Sequence, residues 1–160
     1  MKWAVENEIT QGTSDTTFSP NASCTRAQMV TFLWRAAGKP EPTTATTAFT
    51  DIDASAYYYK AVLWAFENGI TLGTSDTTFS PDATVNRSQS VTFLFRALGG
   101  AVGTENPFKD VKDGAFYYDA VKWAVENGIT QGTSTTTFSP ENDCLRAQIV
   151  TFLYRAYNKA

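Results

Sequence analysis

Histidine is absent from this sequence, and cysteine occurs twice, as Cys24 and Cys144. With no imidazole and no Cys-x-x-Cys pair, the usual zinc ligand sets cannot be assembled. No metal and no cofactor are expected. Positive charge is also thin. Lys and Arg number 13 against 16 Asp and Glu, for a net charge of −3. No basic cluster of the kind that neutralises phosphates is present, which argues against a nucleic-acid partner. No apolar run approaches the ~20 residues of a membrane-spanning helix, so membrane insertion is not expected. An enzyme has little to stand on. There is no Gly-rich phosphate loop and no nucleophile beside a base. Glu6, Glu67 and Glu126 recur one per repeat at helix ends, not as a facing carboxylate pair.

What the chain does have is repetition. The words W-A-V-E-N-G-I-T-Q-G and F-S-P and then R-A-Q run from Trp123 to Gln148. They return at Trp64 and Trp3, spaced 59 and 61 residues apart, and Pro20, Pro81, Pro140 and Arg26, Arg87, Arg146 keep the same offsets. A fixed internal period decides the architecture before any propensity argument. Apolar residues make up 42% and aromatics 14% of the 160 residues, enough for one shared core. We divide the chain into a partial repeat over 1–38, full repeats over 49–99 and 108–160, and Pro/Gly/Thr-rich linkers over 39–48 and 100–107. The chain opens on M-K-W-A-V-E-N, the middle of a repeat, and shows no signal peptide. It reads as a piece of a longer protein. Residue 1 aligns with Val62 and Val121, so the first copy lacks the counterpart of Phe49 to Ala61. That leaves an apolar gap, which another chain, through homo-oligomerisation, or upstream sequence would cover.

Each complete repeat reads as helix, long loop, helix, an all-α fold. In the second copy Tyr58, Ala61, Val62 and Ala65 recur at helical steps and predict a helix over about 56–68. Gly69 and Gly128 follow as C-terminal caps, where the left-handed region favours glycine. Glu8 stands there in copy one and violates the pattern. The loop that follows is anchored by Ile70 and Phe79. The second helix opens on a capping box, Thr25 with Gln28 and Asn86 with Gln89; Leu145 before Gln148 leaves the third box half broken. Val30, Leu33, Ala37 and the copies Val91, Leu94 and Val150, Leu153 give the core stripe. Phe32, Phe93 and Phe152, one step round, are expected to pack on the loop. Cys24, Val85 and Cys144 share one position. A site that accepts Val or Cys reads as a small buried apolar site. A Cys24–Cys144 disulfide is the sharper alternative, disfavoured because equivalent positions around a pseudo-symmetric core are expected to stand too far apart.

Phe-x-Asp-Val, Trp-Ala-x-Glu-Asn-Gly-Ile-Thr-x-Gly, Phe-Ser-Pro and x-Arg-Ala-Gln together resemble S-layer homology repeats over nearly the whole chain, in all three copies, the first of them without the Phe-x-Asp-Val word. The resemblance implies a pseudo-threefold, three-pronged spindle. It also implies a bacterial cell-surface location and a non-catalytic anchoring role. Such modules bind an acidic secondary cell-wall polysaccharide, often pyruvylated, in grooves between repeats. The family's Thr-Arg-Ala-Glu motif supplies a binding Arg, which here is Arg26, Arg87 or Arg146. Gln28, Gln89 and Gln148 replace the Glu, and Leu145 replaces the Thr. A protein-interaction or self-assembly module that keeps the fold without the glycan site is the alternative function.

The residues themselves suggest a site of the same kind. Each Arg sits at the first helical position, beside free amides and the positive helix end, a place for a carboxylate; a solvated Arg is the plain alternative. Gln28, Gln89 and Gln148 stand beside them. Trp3, Trp64 and Trp123 could stack on sugar, although a Trp within a helix is more often core. Thr13, Ser14, Thr74, Ser75, Thr133 and Ser134 could hydrogen-bond sugar hydroxyls or close their own turns. Asp51 and Asp110 are expected to be structural, accepting backbone amides before helix one.

Overall fold

The chain's structure, a computed structural model, describes residues 1–158. Among them the helices are α1 (Lys2–Glu6), α2 (Arg26–Ala36), α3 (Tyr59–Glu67), α4 (Arg87–Leu98), α5 (Tyr118–Glu126) and α6 (Arg146–Tyr157). Extended pairing is limited to isolated bridges, so the fold is all-α as expected. No helix among these residues is long and apolar enough to cross a membrane.

Local chemistry sets the helix ends. Thr25 Oγ1 accepts from Gln28 N at 3.2 Å, and Thr25 N donates to Gln28 Oε1 at 3.2 Å. Asn86 and Gln89 repeat the box. At α6 only half survives, Leu145 N donating to Gln148 Oε1 at 3.0 Å, because a Leu side chain offers no acceptor. The first helix of repeat two is shorter than its apolar pattern predicts. Ser55 N and Oγ both donate to Asp53 Oδ1 at 2.7 Å, and this turn holds the chain until Tyr58, so α3 starts at Tyr59. At the other end Gly69 and Gly128 take φ of 67° and 65°, and Glu8 is forced to 56° at the same site. Ala37, expected in the core stripe, is exposed, since α2 ends at Ala36 and Ala37 is its cap.

The helices assemble in rotation. α2, α4 and α6 meet one another in the middle, and each packs against the first helix of the following repeat: α2 on α3, α4 on α5, α6 on α1. A ring of backbone hydrogen bonds closes the centre. Cys24 N donates to Cys144 O at 3.1 Å, Cys144 N to Val85 O at 2.8 Å, and Val85 N to Cys24 O at 2.9 Å. Equivalent positions are therefore adjacent, and the distance expected to keep the two cysteines apart does not exist. Both are nonetheless free, fully buried thiols. Burial pushes Cys24 up to about 12 and Cys144 up to about 11.

The linkers lie against the first helices. The Glu67 carboxylate accepts from the amides and hydroxyls of Thr43 and Thr44. In the second linker a Cβ at Gly103 would meet Lys122 O at 2.5 Å, so the chain runs flat on α5.

Candidate functional site: three grooves between repeats

The first amides of α2, α4 and α6 are not free, contrary to expectation. Arg26 N donates to Ala83 O at 2.9 Å and Ala27 N to Pro81 O at 3.0 Å, both in the next repeat's loop. Arg87 N donates to Asn142 O, and Arg146 N to Ala22 O, in the same rotation. A helix start already filled in this way is no anion nest. The positive charge at each helix start is that of the guanidinium.

Those guanidiniums are built into the joints. Arg26 Nε donates to Phe79 O at 2.9 Å, Arg87 Nε to Phe138 O at 2.8 Å, and Arg146 Nε to Phe18 O at 3.0 Å. Each lies between two rings, with Arg26 4.9 Å from the Phe79 centroid and 5.4 Å from that of Phe93. Phe138 with Phe152, and Phe18 with Phe32, flank Arg87 and Arg146. Phe32, Phe93 and Phe152 thus pack on the Arg at the loop. All three Arg residues are only 3% exposed. Two nitrogens have no partner, Arg26 Nη2 and Arg87 Nη2, whereas Arg146 Nη2 reaches Thr10 Oγ1 at 3.3 Å. Burial lowers the Arg26 pKa to about 10 against a smaller opposing effect of Asp51, and it lowers that of Arg87 as well. A buried cationic nitrogen without a partner is costly, and grooves two and three hold one each.

Each Arg opens onto a groove between repeats, with three repeats contributing at Arg26 and Arg146 and two at Arg87. Groove two has Arg26 from repeat one, the loop Thr71 to Thr74, Gln89, Thr92, Phe93 and Arg96 of α4, and Phe116 from repeat three. Groove one has Arg146, the loop Thr10 to Thr13, Gln28, Thr31, Phe32 and Arg35 of α2, and Tyr57 from repeat two. Groove three has Arg87, Thr130 to Gly132, and Gln148, Thr151, Phe152 and Arg155 of α6. The cavities measure about 410, 360 and 300 Å³ for grooves one, two and three, the size of small-ligand sites. Every groove contains two arginines and no carboxylate. The second arginines are held through the loop, Arg35 by Ile9 O, Arg96 by Ile70 O and Arg155 by Ile129 O, at 3.2, 3.3 and 3.1 Å. On an acidic protein these are local wells of positive potential.

The S-layer homology domain model matches residues 1–30, 48–89 and 107–150, well over half of the chain. The chain belongs to the S-layer homology family. It is 35% identical over 103 residues to the Surface-layer 125 kDa protein of Lysinibacillus sphaericus, covering 64% of this chain and 9% of that protein. Against a Cell surface protein of Thermoanaerobacter kivui the identity is 34% over 118 residues, 70% of this chain and 16% of that one. Against a Cellulosome-anchoring protein of Acetivibrio thermocellus it is 30% over 134 residues, 74% and 30%. The chain spans less than a third of each of these relatives.

Within this S-layer homology chain the predicted site residues divide. Arg26, Arg87, Arg146, Gln28, Gln89, Gln148 and Thr74 line grooves. Trp64 and Trp123 do not, being 8% and 2% exposed in the core, so neither offers a face to a sugar. Ser75 and Ser134 close their own turns, bonding Thr78 Oγ1 and Thr137 Oγ1, and Thr133 bonds Thr137 O and Ser139 Oγ. Asp51 and Asp110 are structural, but the amides they accept belong to the loop, not to helix one. Asp51 takes Phe79 N at 2.8 Å and Ser80 N at 2.7 Å, and Asp110 takes Phe138 N and Ser139 N at the same distances. Reading the sequence missed Arg35, Arg96 and Arg155, although they recur at the repeat period. It also missed the rim aromatics Tyr57 and Phe116, 61% and 63% exposed. No group of His, Cys, Asp or Glu among the described residues is placed to hold a metal ion.

Proposed function

We propose that this chain is a non-catalytic cell-wall anchoring module that holds an acidic wall polysaccharide in its inter-repeat grooves. The observation that carries the reading is the pair of arginines without a carboxylate in each groove, two of which keep a buried Nη2 unpartnered. A carboxylate on a sugar, such as a pyruvate ketal, supplies the missing acceptor to a planar fork and gains a charge-assisted bond in a partly dry site. Threonine hydroxyls and the Gln side chains on the walls match sugar hydroxyls, and Tyr57 and Phe116 offer exposed rings at the rim. The names of the relatives, a surface-layer, a cell-surface and a cellulosome-anchoring protein, support a place at the bacterial cell surface.

The test is cosedimentation of the chain with purified cell walls, before and after the polysaccharide is stripped by acid. Retention should fall with stripping, and free acidic polysaccharide should compete. Equal retention on stripped walls would defeat the proposal.

A further inference from the structure

Groove two has an apolar mouth. Leu72 and Phe116 both line it, one from the loop of repeat two and one from repeat three. Apart from Met1 they are the most exposed large apolar side chains among the described residues, at 65% and 63%. A single exposed apolar side chain is ordinary, but two brought together at one cavity mark a contact surface.

The fold asks for neither. Leu72 stands between Thr71, whose amide goes to Ala65 O at 3.1 Å, and Gly73, whose amide goes to Thr71 Oγ1 at 3.2 Å. Gln131 stands between Thr130 and Gly132, which make the same two bonds at 3.2 Å. Gln11 is held in the same way between Thr10 and Gly12. This loop position therefore accepts an exposed Gln as readily as a Leu. The rim behaves alike. The Phe116 ring meets Tyr117 edge-on at 5.1 Å, and Tyr57 meets Tyr58 edge-on at 5.2 Å, so the hydroxyl of Tyr57 is compatible with the same seat. Groove one thus carries Gln11 and Tyr57 where groove two carries Leu72 and Phe116. Both differences run from polar to apolar, and both fall on one mouth. The charge of Arg26 lies at the other end of the groove, 3% exposed and with Nη2 unpartnered.

We propose that groove two selects an acidic sugar unit whose far edge carries a methyl-ended substituent, and that Leu72 and Phe116 set this preference. The carboxylate goes to Arg26 at the base, and the methyl group lies between the Leu72 side chain and the Phe116 ring at the mouth. The inference rests on the reading of the grooves as polysaccharide sites and adds a second, apolar point of recognition to the charged one.

The experiment is calorimetric titration of the whole chain with acidic polysaccharide released from purified cell walls, run at a series of temperatures. Burial of apolar surface on binding makes the heat-capacity change negative. Leu72→Gln together with Phe116→Tyr gives groove two the mouth of groove one. Both positions are exposed, so the urea midpoint should not move. The double variant should bind about five- to tenfold more weakly, the scale of one partly buried apolar side chain. Its heat-capacity change of binding should lie closer to zero. The dependence of affinity on salt, which reads the charged contacts, should match that of the parent. Polysaccharide treated with mild alkali separates two sources of the methyl group. The gap between parent and double variant closes if an ester-linked acyl group supplies it, and persists if an amide-linked acyl group or a deoxy carbon does. Equal affinity and equal heat-capacity change for parent and double variant on untreated polysaccharide would overturn the proposal and leave the polysaccharide reading standing. A parent that binds no polysaccharide would overturn both.

Discussion

Arg26 combines two demands that pull apart. Its Nε ties repeat one to the loop of repeat two, and its Nη2 is left without an acceptor in a site that burial has largely dried. Desolvation drops its pKa to about 10, so it is charged at neutral pH but titrates within experimental reach. A folded pKa below the unfolded value of 12.5 means that the unfolded chain holds the proton longer. Between those limits this group makes the fold more stable as pH rises. The cysteines work the other way. Their folded pKa values of about 12 and 11 lie above the ordinary 9.0, so the stability they contribute is complete below pH 9 and is lost as pH rises through 11 to 12. Val85 fills the third seat of the same ring, so Cys24→Val and Cys144→Val together should change stability by less than ~1.5 kcal/mol per site at pH 7. Thermal unfolding of that double variant should lose the fall between pH 9 and 12 expected of the parent, and titration with acidic polysaccharide should show affinity declining above pH 10. A pH-independent affinity would remove Arg26 from the site.

At the scale of the element, the second helices are where sequence and structure agree best. Two complete capping boxes, the half box at Leu145 and the buried Val/Leu stripe are all local patterns, set within a few residues. Leu145→Thr should restore the third box and raise stability by roughly 1 kcal/mol, measured as a shifted urea midpoint at constant slope. An unchanged midpoint would mean that the Leu145 side chain contributes as much by packing as a cap would. Local pattern carried less for the first helices. The Asp53–Ser55 turn shortened α3 although the apolar period ran through it. The partner of each first helix, the preceding repeat's second helix, has no mark in the sequence, because which neighbour a buried face meets is a long-range fact. The groove was half legible for the same reason. Repetition pointed to Arg26, Arg87 and Arg146. That their amides were already occupied by another repeat's carbonyls, and that Arg35, Arg96 and Arg155 came to face them, depended on the closure of the ring.

At the scale of the molecule, the pseudo-threefold arrangement makes three grooves from one plan, and among the described residues their walls differ. Grooves one and two each draw on three repeats: a loop and second helix of their own, an Arg from the repeat before, and a rim aromatic from the repeat after. Groove two has all of these, and its loop is braced by Asp51. Groove one has its rim in Tyr57, and among the described residues no aspartate accepts the Phe18 and Ser19 amides. Groove three is braced by Asp110, and among the described residues its lining includes no exposed rim aromatic. Rigid, fully walled sites lose less on ordering than open ones, so groove two should bind acidic polysaccharide most tightly. The second arginines test this without dismantling the joints, since Arg96 and Arg155 are exposed and each of the three makes the same single bond to a loop carbonyl. Arg96→Ala should cost about tenfold or more in affinity, the scale of one charge-assisted hydrogen bond. Arg35→Ala and Arg155→Ala should cost clearly less. Phe116→Ala should reduce groove two to the rimless state of groove three, a loss of about three- to tenfold. Calorimetric titration of the four variants, with urea unfolding as the control for stability, separates the outcomes. Equal losses from all three arginine variants would mean that the polymer reads the grooves as equivalent and that neither the rim nor the aspartate brace sets affinity.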